Sequence, residues 1–206
     1  MVSAMAGRPR EFDRMNALKK ARDLFWRQGF ESTSMSELVT MLGLASARIY
    51  AAFGSKEDLF REAILDYEAH EGSFATHALE EERSIFAAME RILQQAITLY
   101  TQPDGPKGCM VVASATNCSA ANSSISEWLT QHRKARTASL IERLRRAQQE
   151  GELGADCDPE ALGDFFATFL HGLSVQARDG ISTQRLQDAA QSALQLLKQQ
   201  MASGKN

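Results

Sequence analysis

Apolar residues recur along this chain at spacings of three and four, with no run of strict alternation. That is the pattern of helices packed on helices, and no internal repeat interrupts it. Leu18, Ala21, Leu24 and Phe25 form one buried stripe on a helix from about Arg14 to Gln28, which Gly29 stops. Ser34 with Glu37 three residues on is a capping-box pattern that opens a second helix, Met35 to Leu42. Gly43 can take the positive φ needed to end it. A third, short helix covers about Ser46 to Ala52. Gly54-Ser55 breaks it, and Ser55 with Asp58 caps a fourth from Lys56 to about Ala69.

The remainder reads as helical too. Ile85, Met89, Ile92, Leu93, Ala96 and Leu99 trace one face of a helix ending near Tyr100, and Gln102-Pro-Asp-Gly-Pro is a loop by composition. Residues 108 to 121 are small and apolar, which predicts a buried helix. A long helix spans Ile125 to about Glu150, with Trp128, Leu129, Leu140, Ile141 and Leu144 inside. Gly151 to Asp158 is a turn region. Asp158 then caps a helix begun by Pro159, which carries Leu162, Phe165, Phe166, Phe169, Leu170 and Leu173. A last helix spans about Thr183 to Met201.

Charge adds an asymmetry. The 206 residues carry a net charge of -3. Met1 to Lys56 hold nine Lys+Arg against five Asp+Glu, a balance of +4, so the rest holds -7. Such a division suits a head that faces nucleic acid and a body that faces away. The start lacks the long apolar run of a signal peptide, and Gly108 to Ser126, the longest uncharged stretch, is too rich in Ser, Thr and Asn to span a membrane. Three cysteines, an odd count, fit a reducing cytoplasm better than a disulfide framework. The triplets Asn117-Cys-Ser and Asn122-Ser-Ser are then chance matches to a glycosylation site.

The most informative unit runs from about Met35 to Phe53: helix, glycine turn, short helix. Leu38, Val39, Leu42, Leu44, Ile49 and Phe53 give it an apolar interior, and Ser46, Ala47, Arg48, Tyr50 and Ala51 are left on the outer face of its second helix. By spacing alone an ordinary helical hairpin is the plainer reading, although helix-turn-helix DNA readers share this shape. The residues themselves go further. Gly29-Phe-Glu-Ser-Thr-Ser-Met-Ser-Glu-Leu, followed by Leu42-Gly-Leu-Ala-Ser-Ala-Arg-Ile-Tyr-Ala-Ala-Phe-Gly-Ser-Lys-Glu-Asp-Leu-Phe, resembles the DNA-binding domain of the TetR/AcrR family over roughly Gly7 to Tyr67.

That resemblance implies an all-α fold with about nine helices: a DNA-binding head over 1–56 and a helical effector-binding and dimerisation body over 57–206. It implies a homodimeric regulator, most simply a repressor, with a double-stranded DNA operator and a small-molecule effector as partners. Matching positions take the family's roles. Thr33 and Ser34 stand where residues touch phosphate, and Tyr50 and Lys56 where a tyrosine and a lysine hold the backbone. Lys56 also opens a helix, where amides favour an anion. Arg48 is the candidate base reader, since its fork pairs with guanine. The segment Ala45-Ser-Ala-Arg-Ile-Tyr-Ala-Ala departs from the family in its alanine content, so Ser46, Ala47, thymine-methyl contacts and DNA shape share the task. Arg8 and Arg10, flanking Pro9, are a candidate minor-groove arm, with a solvated tail as the even alternative.

Within the body, Met110, Cys118, Trp128, Phe166 and His171 are the candidates for the effector cavity. A histidine such as His171 on a Phe-rich helix is more often a satisfied core or interface residue than a ligand contact. Phe165, Phe169, Leu173, Leu186, Leu194 and Leu197 are the candidates for the dimer interface, with Gly163, Ala167 and Gly172 permitting close helix approach. Burial of the same residues in the chain's own core is the competing reading.

Other signals are weaker. Cys109, Cys118 and Cys157 would make a thiol- or electrophile-sensing regulator only if one had a lowered pKa, and a lone cysteine is more often a small buried hydrophobe. Arg133, Lys134 and Arg136 read as a solvated helix face. His70, His77, His132 and His171 lack metal-ligand spacing, and no phosphate loop, dinucleotide fingerprint or nucleophile elbow is present. No metal, cofactor or enzymatic role is expected. A small-molecule-binding helical protein with a vestigial head is the remaining alternative.

Overall fold

The computed structural model describes residues 13–114, 119 and 122–202. Among them the regular elements are ten α-helices and one 3₁₀ turn: α1 (Arg14–Ser32), α2 (Met35–Leu42), α3 (Ser46–Phe53), α4 (Lys56–Ala69), the turn Glu71–Ser73, α5 (Phe74–Glu81), α6 (Ile85–Tyr100), α7 (Met110–Ser114), α8 (Ser123–Gln149), α9 (Pro159–Arg178) and α10 (Thr183–Ala202).

Local chemistry sets the head. The Asp13 carboxylate accepts from the Asn16 amide at 3.0 Å and starts α1. Gly29, at φ 82° and ψ 176°, breaks the helix before one last turn, a conformation that glycine adopts without strain. Ser34/Glu37 and Ser55/Asp58 both form complete capping boxes, and Gly43 closes α2 at φ 67°. Leu18, Ala21, Phe25, Leu38, Ile49 and Phe53 meet beneath these helices. The head's core does not end at Lys56: Phe60 of α4 lies 5.2 Å from both Phe25 and Phe30 of α1. The α4 helix is thus shared between head and body.

In the body, α6 packs on α5, α9 and α10, burying Ile85, Met89, Ile92 and Leu93 completely. The α8–α9 pair is packed so closely that a Cβ on Gly163 would lie 2.4 Å from Ile141 Cγ1. The small residue expected to serve subunit contact therefore serves contact within the chain.

Three expectations need correction. Of the helix expected over 108–121, the described residues show Met110–Ser114 as helical and Gly108, Cys109 and Ser119 as not. The segment between Ala69 and Ile85, left unassigned by periodicity, holds the 3₁₀ turn and α5. Of the interface candidates, Leu173, Leu186, Leu194 and Leu197 are buried inside this chain, because α10 turns its apolar stripe onto α6 and α9. Phe165 remains exposed and Phe169 partly so.

Candidate nucleic-acid interface and internal cavity

Ile49 and Phe53 anchor α3 to the head with 2 % and 6 % exposure, which turns Ser46, Ala47, Arg48 and Tyr50 outward. Ala45 offers no capping side chain to this helix. Ser34 is also at the surface, where its hydroxyl accepts from the Glu37 amide at 3.2 Å and donates to Glu37 Oε2 at 2.8 Å. Thr33 departs from expectation. It is fully buried and its hydroxyl donates to the Gly29 carbonyl at 2.7 Å, so it holds the turn between α1 and α2 instead of facing phosphate. Lys56 stands at the predicted place, but its ammonium donates to the Thr33 carbonyl at 2.7 Å and sits 4.3 Å from the Phe30 ring centroid. Burial pulls its pKa down, against Glu31 and Glu37. Lys56 is first a strut between α4 and the end of α1.

The tie between α4 and α1 is strong. Arg14 reaches Glu62 at 2.7 Å, and the buried Arg22 reaches Asp66 and Glu71 at 2.7 Å each. The Trp26 indole donates to the Gly108 carbonyl at 3.0 Å and meets Tyr67 edge-on, 4.7 Å between centroids.

Beyond Tyr67 a cavity of about 310 Å³ opens between the end of α4, α5, α6, α7, α8 and α9. Phe74, Leu79, Val112, Leu140 and Leu170 supply its apolar wall; Glu68, Tyr100, Cys109, His132, Arg136 and His171 supply the polar one. Glu68 accepts from His132 Nδ1 at 2.7 Å and pairs with Arg136 Nε at 3.2 Å. Tyr67 Oη and Arg136 Nη1 both donate to Cys109 Sγ, at 3.5 and 3.4 Å. Burial, and then Cys109, push the Tyr67 and Tyr100 phenols well above their ordinary pKa, so both remain donors. Burial, and then Arg133 and Arg136, pull His171 down and keep it neutral.

Of the sequence-predicted cavity residues, His171 lies on the wall. Met110 and Phe166 are fully buried in packing, Trp128 lies under the Arg61 guanidinium at 4.8 Å, and none of these three lines the cavity. Arg8, Arg10 and Cys118 fall outside the described residues. Sequence reasoning missed Glu68, Tyr100, His132 and Arg136. Arg136, read as part of a solvated run, faces the cavity while Lys134 is exposed. The four-residue spacing of His132 and Arg136 was the available signal. Among the described residues no group of three His, Cys, Asp or Glu is placed to hold a metal, and no helix is long and apolar enough to cross a membrane.

Comparison with known proteins adds a frame. Residues 17–63 match the family model described as bacterial regulatory proteins, tetR family. Residues 88–197 match the one described as tetracyclin repressor-like, C-terminal domain. The HTH-type transcriptional repressor ComR of Escherichia coli K12 is 32% identical over 197 residues, 95% of this chain and 93% of its own length. The repressor BdcR of the same strain is 30% identical over 184 residues, 89% of this chain and 88% of its own. A solved structure of the TetR family regulator CifR, a cysteine mutant complexed with 26-bp double-strand operator DNA, superposes with a TM-score of 0.86 at 37% identity, covering 91% of this chain and 98% of that one.

Proposed function

Because the chain belongs to the TetR family of bacterial regulatory proteins, we propose that it is a homodimeric transcriptional repressor. It reads an operator with α3 and releases it when a small molecule enters the cavity between α4 and α9. The observation that carries this reading is the exposed α3 face, with Arg48 and Tyr50 outward and Ile49 and Phe53 locked beneath, in a chain that superposes along most of its length on a regulator solved with its operator.

Each residue then has a task. Arg48 reads a base edge, with Ser46 and Ala47 beside it, while Tyr50 and Ser34 contact the phosphate backbone. Lys56 adds its charge next to them without leaving its strut. Arg8 and Arg10 are assigned to the minor groove. The dimer face is redrawn around the apolar residues α9 leaves outward: Phe165, Val175 and the edge of Phe169, next to Gly172, where a Cβ would meet open space. A two-fold pair places its two α3 helices about 34 Å apart, one duplex turn. The effector acts through its unequal affinity for the two head spacings, and α4, held to the head by Glu62 and Asp66, carries the change. We assign the protein to the cytoplasm, where duplex DNA is reached, and assign it no catalytic step. A vestigial head is disfavoured by intact capping boxes and an exposed reading face. A thiol switch is disfavoured at Cys157, whose thiol burial, and then Asp158, push up.

Selection from a random pool of duplexes tests the function. A two-fold site with half-sites about 10 bp apart, or a multiple of that, is expected. A pool that never enriches overturns the reading.

A further inference from the structure

The one carboxylate among the cavity's lining residues is already engaged. Glu68 lies near the end of α4, and both of its oxygens are held by α8: one by His132, the other by Arg136. Earlier along the same helix, Glu62 and Asp66 bind it to the head. Glu68 therefore latches the helix that carries the head to the wall of the cavity. About two turns nearer the head, Arg61 lies over the Trp128 ring, and the Trp128 ring lies tilted against His132 with 4.2 Å between centroids, so the latch and its neighbours form one contiguous seam between α4 and α8.

Arg136 is the unsaturated member. It spends Nε on Glu68 and Nη1 on a sulfur at 3.4 Å, a weak acceptor. A guanidinium has five N–H donors in a planar fork that matches a carboxylate. Space has been kept for it: a Cβ on Gly72 would come within 3.1 Å of Nη2 and 2.6 Å of the Tyr67 ring. Besides Glu68 and the Cys109 sulfur, the groups that face it from other elements are donors or neutral, namely the Tyr67 and Tyr100 phenols and His171. The rest of the wall is mainly apolar, from Phe74, Leu79, Val112, Leu140 and Leu170, with the hydroxyls of Thr76, Thr137 and Ser139 among them.

We propose that the cavity binds a small carboxylate with an apolar body, and that this carboxylate takes Arg136 from Glu68 and so unlatches α4 from α8. The inference rests on reading this cavity as the effector site and gives that effector its chemistry. A cation would meet Arg136, and a neutral polar group would not displace Glu68 from a charge-assisted pair. The cavity is at the small end of ligand pockets, which suits a compact molecule. The competition also supplies the sign that population shift requires: the ligand prefers the unlatched state because only there is the guanidinium fully available.

The test needs no DNA, so its failure is separate from a failure of the repressor reading. Trp128 beside His132 and Trp26 beside Tyr67 report the surroundings of the latch through the intrinsic fluorescence, and the full chain is titrated with benzoate and octanoate against the neutral benzamide and octanamide. Saturable responses to the carboxylates, at least tenfold tighter than to the amides, are expected. Arg136→Met should abolish them. Glu68→Gln, which removes the competitor while keeping its shape, should bind the carboxylates several-fold tighter, an effect that a merely structural Arg136 would not produce. Equal response to acids and amides overturns the proposal. So does a Glu68→Gln variant whose carboxylate affinity is unchanged or weaker, or the absence of any saturable carboxylate response in both parent and Glu68→Gln.

Discussion

Arg48 and Lys56 both carry charge on the head's outer side, yet the structure divides their roles. Arg48 lies on the exposed face of α3, and Lys56 reaches back to the Thr33 carbonyl across 2.7 Å. Arg48→Ala should relax the base preference at one operator position, a loss of about 1–3 kcal/mol against the preferred base. Lys56→Ala should lower both thermal stability and affinity for all duplexes. An Arg48→Ala protein that selects the same sites as the parent would contradict the assignment. His171 gives a pH dependence. Folding moves its pKa below the ordinary value of about 6.5. The unfolded chain therefore takes up that proton more readily, so His171 leaves stability unchanged near neutral pH and subtracts from it as pH falls below about 6.5. His171→Gln should lose less melting temperature than the parent between about pH 7.5 and about pH 5.5; an equal loss counts against it. Residue roles were only partly legible in the sequence. A motif position reports where the backbone goes, but Thr33 and Arg136 are decided by which way a side chain turns once helices pack. Thr33 turns into the α1–α2 corner and Arg136 into the cavity.

At the level of elements, the head was readable because its signals are local. Capping boxes at Ser34/Glu37 and Ser55/Asp58 and the left-handed Gly43 each depend on neighbours within four residues. The eight residues of α5 were not, since so short a helix is stabilised by packing on α6 and not by its own periodicity. The packing of α8 on α9 offers the sharpest element-level test. Gly163→Ala places a methyl 2.4 Å from Ile141 Cγ1 and should destabilise the fold by about 1–3 kcal/mol in urea unfolding. An unchanged midpoint would show that the helices can part without cost.

For the whole molecule, the continuous apolar core from Leu18 in the head to Leu197 in α10 explains how a cavity event can reach a DNA-reading helix through α4. It also redraws the subunit interface. Phe165→Asp should give folded monomers by sedimentation at micromolar concentration, with weak operator binding, whereas Leu194→Asp, a substitution at a 2 % exposed site, should unfold the body. A Phe165→Asp protein that remains dimeric would place the interface elsewhere. The central claim, a sequence-reading repressor, is tested most directly by fluorescence anisotropy on the selected duplex and a scrambled one across a salt series. The account predicts a logarithmic affinity that falls linearly with the logarithm of salt, and a selected site at least about 10³-fold tighter than the scrambled one. Equal affinity for the two duplexes at every salt concentration would contradict it.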